Sequence, residues 1–147
     1  MSEQVILLVE DNASDEELTL RALRKSNIGN KVVVARDGAA ALDYLFVRGA
    51  YAERDPREEP QVVLLDLNLP KVGGLDVLRA IRADARTKVL PIVILTSSKE
   101  DRDLVKGYAL GANSYIVKPV DFTQFADAVR QLGLYWLVLN QKPPKSS

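Results

Sequence analysis

The stretch VVLLDLNLP, Val62 to Pro70, decides how the whole chain is read. Its four leading apolar residues do not alternate with polar ones, which is the pattern of a strand buried on both faces, as in a parallel sheet. The run ends in a carboxylate, Asp66, and an amide, Asn68, follows two residues later. An acid at the tip of an apolar strand is costly to desolvate unless a cation or hydrogen-bond donors face it. Two questions follow: which sheet holds this strand, and what stands opposite Asp66.

Four more runs share the pattern: VILLV (Val5–Val9), KVVVA (Lys31–Ala35), PIVILT (Pro91–Thr96) and SYIV (Ser114–Val117). Each is read as a central strand. Helical patterns lie between them. Ser14 with Glu17 reads as a capping box ahead of Leu18, Ala22 and Leu23. Asp37 caps a helix that buries Ala41, Leu42, Leu45 and Phe46. Gly74 precedes one with Leu75, Leu78 and Ile81 on one stripe. Ser98 with Asp101 opens the next, before Leu104, Val105 and Tyr108, and Gly111 stops it. Asp121 with Gln124 opens the last, which carries Phe122, Phe125, Ala126, Val129 and Leu132. Five β-α units in succession predict an α/β fold, a five-stranded parallel sheet with helices on both faces. The charged stretch RGAYAERDPREEP (Arg48–Pro60) reads as a solvated excursion before the third strand.

At 147 residues the chain is one domain's worth, and 20 basic side chains balance 20 acidic ones. Zero net charge speaks against nucleic acid or an anionic membrane as the main partner. Cysteine and histidine are both absent. That excludes a disulfide framework, thiolate or histidine-assisted nucleophilic catalysis, and the usual zinc ligands. The apolar run Val5–Val9 is too short for a signal peptide or a span, so a cytoplasmic location is expected.

Ligands of an open parallel sheet bind beyond the carboxyl ends of its strands. Here those ends carry Glu10 and Asp11, Asp66 with Asn68, Thr96, and Lys118 followed by Pro119. Crowded carboxylates repel one another and call for a cation. With no nitrogen or sulfur ligand available, a hard oxygen-bound ion is expected, and Mg2+ fits best because it also binds phosphate. Thr96 and Lys118 would complete a pocket for a transferred phosphoryl group, with Asp66 the candidate nucleophile. Taken singly, each of these residues reads as a turn, capping or surface residue. Their joint placement at neighbouring strand ends carries the functional reading.

The set VEDN, LLDLNLP, ILTSS and IVKPV, in this order, resembles the receiver domain of bacterial two-component response regulators. The resemblance covers the chain to about Leu132. It implies a flavodoxin-like, doubly wound sheet with strand order 2-1-3-4-5. It implies that Asp66 accepts phosphate from a histidine on a separate sensor kinase. Glu10, Asp11 and Asp66 would hold the metal with the backbone carbonyl of Asn68. Thr96 matches the switch hydroxyl, Tyr115 the switch aromatic, and Lys118 the lysine that contacts the phosphate. Pro119 follows a peptide bond that is typically cis in that family. Glu10 departs from the commoner aspartate, which leaves open whether it reaches the ion directly or through water. Such a protein catalyses only its own phosphoryl transfer and loss, and is otherwise no enzyme.

Residues 1–140 are read as a receiver domain with an extended C-terminal helix region, and 141–147 as a disordered tail. LGLYWLVLN (Leu132–Asn140) is apolar all the way round a helix, more than one core face covers. Tyr135, Trp136 and Leu137 are therefore candidate interface residues. The charged loop and this extension resemble single-domain regulators paired with phytochrome kinases, which implies such a kinase as partner and a homodimer. Three readings compete. A haloacid-dehalogenase-type phosphohydrolase would need a second Asp where Asn68 stands. A flavodoxin-like cofactor binder would need a phosphate loop where EDNAS places acids. A pseudo-receiver would act as an interaction module without phosphate.

Overall fold

The computed structural model describes residues 5–25, 31–69, 72–97 and 102–133. Ser98, Asp101, Tyr135, Trp136 and Leu137 lie outside the described residues, as do the side chains of Leu104 and Val105. Among the described residues the apolar runs pair as one parallel sheet. Its strands are β1 (Val5–Val9), β2 (Lys31–Ala35), β3 (Pro60–Asp66), β4 (Ile92–Thr96) and β5 (Ser114–Val117), in the order β2-β1-β3-β4-β5. The helices between them are α1 (Ala13–Lys25), α2 (Gly38–Leu45), α3 (Gly74–Ala83), α4 (Arg102–Ala109) and α5 (Phe122–Gln131). Both the expected strand order and the two-faced layering are present.

Burial explains the order. Strands β1, β3 and β4 are apolar on both faces, so each needs a neighbour on either side and helices above and below. On one face Ile6, Leu8, Val62, Leu64 and Leu95 pack against Leu23 of α1 and Phe125 and Val129 of α5. On the other, Leu7, Val63 and Leu65 pack against Ala41 and Leu45 of α2 and Val77, Leu78 and Ile81 of α3. The edge strands correct the expectation of five central strands. In β5 buried Ser114 and Ile116 alternate with exposed Tyr115, and β2 is only half-buried over Val32–Val34. An edge strand has one free side, so part of its surface meets solvent.

Helix starts carry one further correction. Asp37 and Asp121 cap as read, accepting from Ala40 N–H at 2.7 Å and Gln124 N–H at 2.8 Å. Helix α1 instead starts at Ala13, because Asn12 Oδ1 accepts from Asp15 N–H at 2.9 Å. The amide does the work assigned to Ser14, and Asp15 and Glu16 fall in the first turn, where the helix dipole favours acids. Gly111 ends the α4 segment with φ +104°, and a side chain there would strike Arg82. The Arg82 guanidinium donates to Gly111 O, Lys88 O and Leu90 O, tying the exit of α4 to the entry of β4.

The charged loop is not a simple solvated excursion. Arg54 donates to the carbonyls of Tyr44 (2.8 Å), Asp55 (3.0 Å) and Glu58 (2.7 Å), and its guanidinium lies 4.4 Å from the centre of the Tyr44 ring. Tyr51 meets the same ring edge-on at 5.1 Å. A planar donor with five N–H groups suits this use, and composition alone hides it. Arg54→Ala should destabilise the fold by about 2 kcal/mol, read from denaturant unfolding, since carbonyls of half-buried backbone lose their donor. A loss under about 0.5 kcal/mol would restore the solvated reading.

Candidate functional site

The carboxyl ends of β1, β3, β4 and β5 bring the expected residues together. Glu10 directly follows β1, and its N–H donates to Ala35 O at 3.0 Å, extending the strand pairing by one residue. That pulls its side chain under the sheet edge, where it is fully buried. Asp66, the last residue of β3, is 2% exposed, whereas Asp11 faces solvent. Carboxylate oxygens of Glu10, Asp11 and Asp66 all lie within 4.8 Å of one another.

Lys118 answers the question of what stands opposite Asp66. Its N–H donates to Thr96 O at 2.7 Å, which anchors the residue to the end of β4, and the Lys118–Pro119 peptide is cis. Gln124 braces the same corner, accepting from Val117 N–H and donating to Pro119 O. The Lys118 ammonium lies 2.9 Å from Asp66 Oδ2, 3.0 Å from Asp15 Oδ2 and 2.8 Å from Glu10 Oε1. Asp66 Oδ1 accepts from the Asn68 N–H at 3.0 Å. The buried acid is thus compensated from two sides. The Asn68 side chain itself is exposed, and Thr96 is fully buried beside the strand end.

Charge is still out of balance. Glu10, Asp15 and Asp66 share one ammonium, and the Asp11 carboxylate stands beside Glu10 and Asp66. Glu10 Oε1 is held by the Lys118 ammonium at 2.8 Å as an ion pair outside hydrogen-bond geometry, and no other donor reaches this buried oxygen. Burial, then the neighbouring Asp66, pushes Glu10 up to about 7, against an opposing pull from Lys118. For Lys118, burial lowers the ammonium's proton affinity, but contacts to Glu10, Asp66 and Asp15 outweigh it and leave the value raised. An all-oxygen donor set, a buried carboxylate oxygen held only by an ion pair and excess negative charge fit a hard divalent cation.

The raised Glu10 value sets a pH dependence. Its folded value of about 7 stands above the ordinary 4.5, so folding takes up a proton between the two. Its contribution to the metal-free protein is fully present below about 4.5 and lost as pH rises through about 7. A divalent cation selects the ionised form, so Mg2+ should bind about tenfold more weakly near pH 6 than near pH 8. Calorimetric titration across that range checks this, and Glu10→Gln should flatten the slope. An equal slope in that variant would assign the proton elsewhere.

Tyr115 points outward from β5, 36% exposed, with its ring edge-on to Tyr108 at 6.0 Å. It borders a groove of about 300 Å³ shared with Val117, Gln124, Asp127 and Ala128. The residue that sequence reasoning missed is Asp15. Its signal was there, four residues after Asp11 on a helix whose true start is set by Asn12, but the Ser14 cap hid it.

Comparisons with known proteins agree with this fold. Residues 6–130 match the response regulator receiver domain family. Response regulator Rcp1 of Synechocystis is 38% identical over 134 residues, 91% of this chain and 89% of that protein. The structure of the Mn2+-bound form of Rcp1 superposes with a TM-score of 0.75 at 35% identity, covering 96% of this chain and 99% of that one. The bacteriophytochrome response regulator AtBRR is 53% identical, with a TM-score of 0.86 over 96% of this chain and 100% of that one. The phosphorylated cyanobacterial phytochrome response regulator RcpA is 35% identical, with a TM-score of 0.76 over 98% and 100%. Among the described residues no helix is long and apolar enough to cross a membrane.

Proposed function

The chain belongs to the response regulator receiver domain family, and we propose that it is a phosphorylation switch with Asp66 as its phosphoacceptor. The observation that carries this reading is Lys118 Nζ at 2.9 Å from Asp66 Oδ2, beside a three-carboxylate cluster that fits a divalent cation. In the reaction, an Asp66 oxygen forms a bond to phosphorus while the phosphorus–nitrogen bond of a kinase phosphohistidine breaks, its electron pair returning to the imidazole. Lys118 supplies a positive donor to the incoming oxygens. Glu10, Asp11, Asp66 and the Asn68 carbonyl would hold Mg2+, which offsets the negative charge of the acids and of the phosphoryl group.

Thr96, buried at the end of β4, is the hydroxyl drawn to the phosphoryl, and Tyr115 is the aromatic that turns inward in response. That exchange biases the surface beside α4 and β5. The protein acts on itself and not on external substrates. The similarity to AtBRR and RcpA supports a phytochrome-type histidine kinase as partner. A cytoplasmic setting and a homodimer, with Tyr135, Trp136 and Leu137 as candidate contacts, complete the proposal. A receiver-like module that works without phosphate is not favoured, because Asp66, Thr96 and Lys118 are all retained.

Incubation with Mg2+ and acetyl phosphate, followed by intact mass, tests the reading. One added phosphoryl group, lost on chelation, is the expected result. No gain in a folded, Mg2+-binding sample that also ignores beryllofluoride would overturn it.

A further inference from the structure

Lys118 has three N–H donors, and the structure gives it three carboxylate neighbours, but they are unequal. Asp66 and Asp15 meet it in hydrogen-bond geometry, at 2.9 and 3.0 Å, whereas Glu10 Oε1 at 2.8 Å does not. Asp66 holds the ammonium from inside the pocket. Asp15, a third exposed, holds it from the solvent side, from the first turn of α1. Asp15 is not part of the cluster that fits the cation, so its carboxylate serves the lysine.

We propose that Asp15 is a positioning residue that restrains Lys118 in the unphosphorylated protein and competes with phosphoryl oxygens for its ammonium. The proposal rests on the phosphoacceptor reading above. A phosphoryl oxygen needs an N–H from Lys118, and the one held at the solvent side is the least desolvated and the cheapest to release. The arriving group is also an anion, which the Asp15 charge opposes. Asp15 thereby sets how readily the pocket takes and keeps a phosphoryl group, and it does so without touching the reacting atoms.

The experiment titrates beryllofluoride, a phosphoryl mimic, into the full chain at saturating Mg2+ by calorimetry. Asp15→Asn should bind it about fivefold more tightly, between the effect of an exposed pair and that of a charged buried hydrogen bond. Mg2+ alone should bind about twofold more weakly, since a nearby negative charge is lost. A merely structural role would weaken both. Asp15→Glu should return both toward the parent values. In a Lys118→Met background, the gain in beryllofluoride affinity from Asp15→Asn should shrink below about twofold, since only the charge repulsion is left to relieve. Weaker or unchanged beryllofluoride binding, or an equal gain in both backgrounds, would overturn the proposal. A parent protein that binds Mg2+ but no beryllofluoride would overturn the phosphoacceptor reading and this proposal with it. An intact parent response with an indifferent Asp15→Asn would sink the Asp15 role alone.

Discussion

Asp66→Asn is expected to abolish phosphoryl gain from acetyl phosphate, within detection by intact mass, while the protein stays folded. The amide keeps the shape of the side chain and can still accept from the Asn68 N–H, which lies 3.0 Å from Asp66 Oδ1. It cannot supply an anionic nucleophile or form an acyl phosphate. Mg2+ affinity should fall by about one to two orders of magnitude, since a member of the cluster is lost. Stability should move the other way. Three carboxylates share one ammonium and Asp11 stands beside two of them, so removing one charge relieves repulsion in the metal-free protein. The expected signature is therefore a thermal midpoint equal to or above that of the parent, with no phosphorylation. A variant that still gains a phosphoryl group would place the acceptor elsewhere, and a collapsed midpoint would show that Asp66 is mainly structural.

Gly74→Ala should impair both the fold and the site, though it lies outside the pocket. A β-carbon at Gly74 would come within 2.5 Å of Asp66 O and 2.6 Å of Leu67 Cα. Those are backbone atoms and cannot swing aside, so either α3 withdraws from its packing or the chain around Asp66 moves. The first option exposes Val77, Leu78 and Ile81, all fully buried. Overpacking of this kind costs about 1–3 kcal/mol. The second displaces Asp66, the proposed phosphoacceptor, and a shift of about 1 Å can cost on the order of a hundredfold in rate. Gly73→Ala is the internal control. Its φ is −66° and the nearest atom to a new β-carbon is Asp76 Oδ2 at 3.8 Å, so the loss of a preferred N-cap residue is set against the chain-entropy gain and the net change should stay within about 1 kcal/mol. Denaturant midpoints and initial acetyl phosphate rates of the two variants, side by side, decide the matter. Equal midpoints and equal rates would remove Gly74 from the account.

Much of the site was legible because it is periodic. The runs VILLV, VVLL and IVIL are continuous and apolar, and a strand buried on both faces has only that pattern available to it. The polar residue that closes or follows such a run stands at the carboxyl edge of the sheet. Glu10, Asp66 and Thr96 were placed at that edge in this way. SYIV misled for the converse reason: at the sheet edge Tyr115 alternates outward, and four residues are too few to show it.

What the order of residues determined by itself was the β-α alternation, the helix caps at Asp37 and Asp121, the absence of histidine and cysteine chemistry, and the set of groups at the strand ends. The tertiary structure alone decided which of those groups touch. Asn12, not Ser14, starts α1, and that shift brings Asp15 to the lysine. Arg54 folds a charged loop around Tyr44, and Arg82 ties α3 to the ends of α4 and β4. Hydrophobic burial follows residue type and period, so it can be read along one strand at a time. An ion pair or a carbonyl contact forms between segments far apart in the chain, at a distance set by how the layers pack, and no local pattern encodes it.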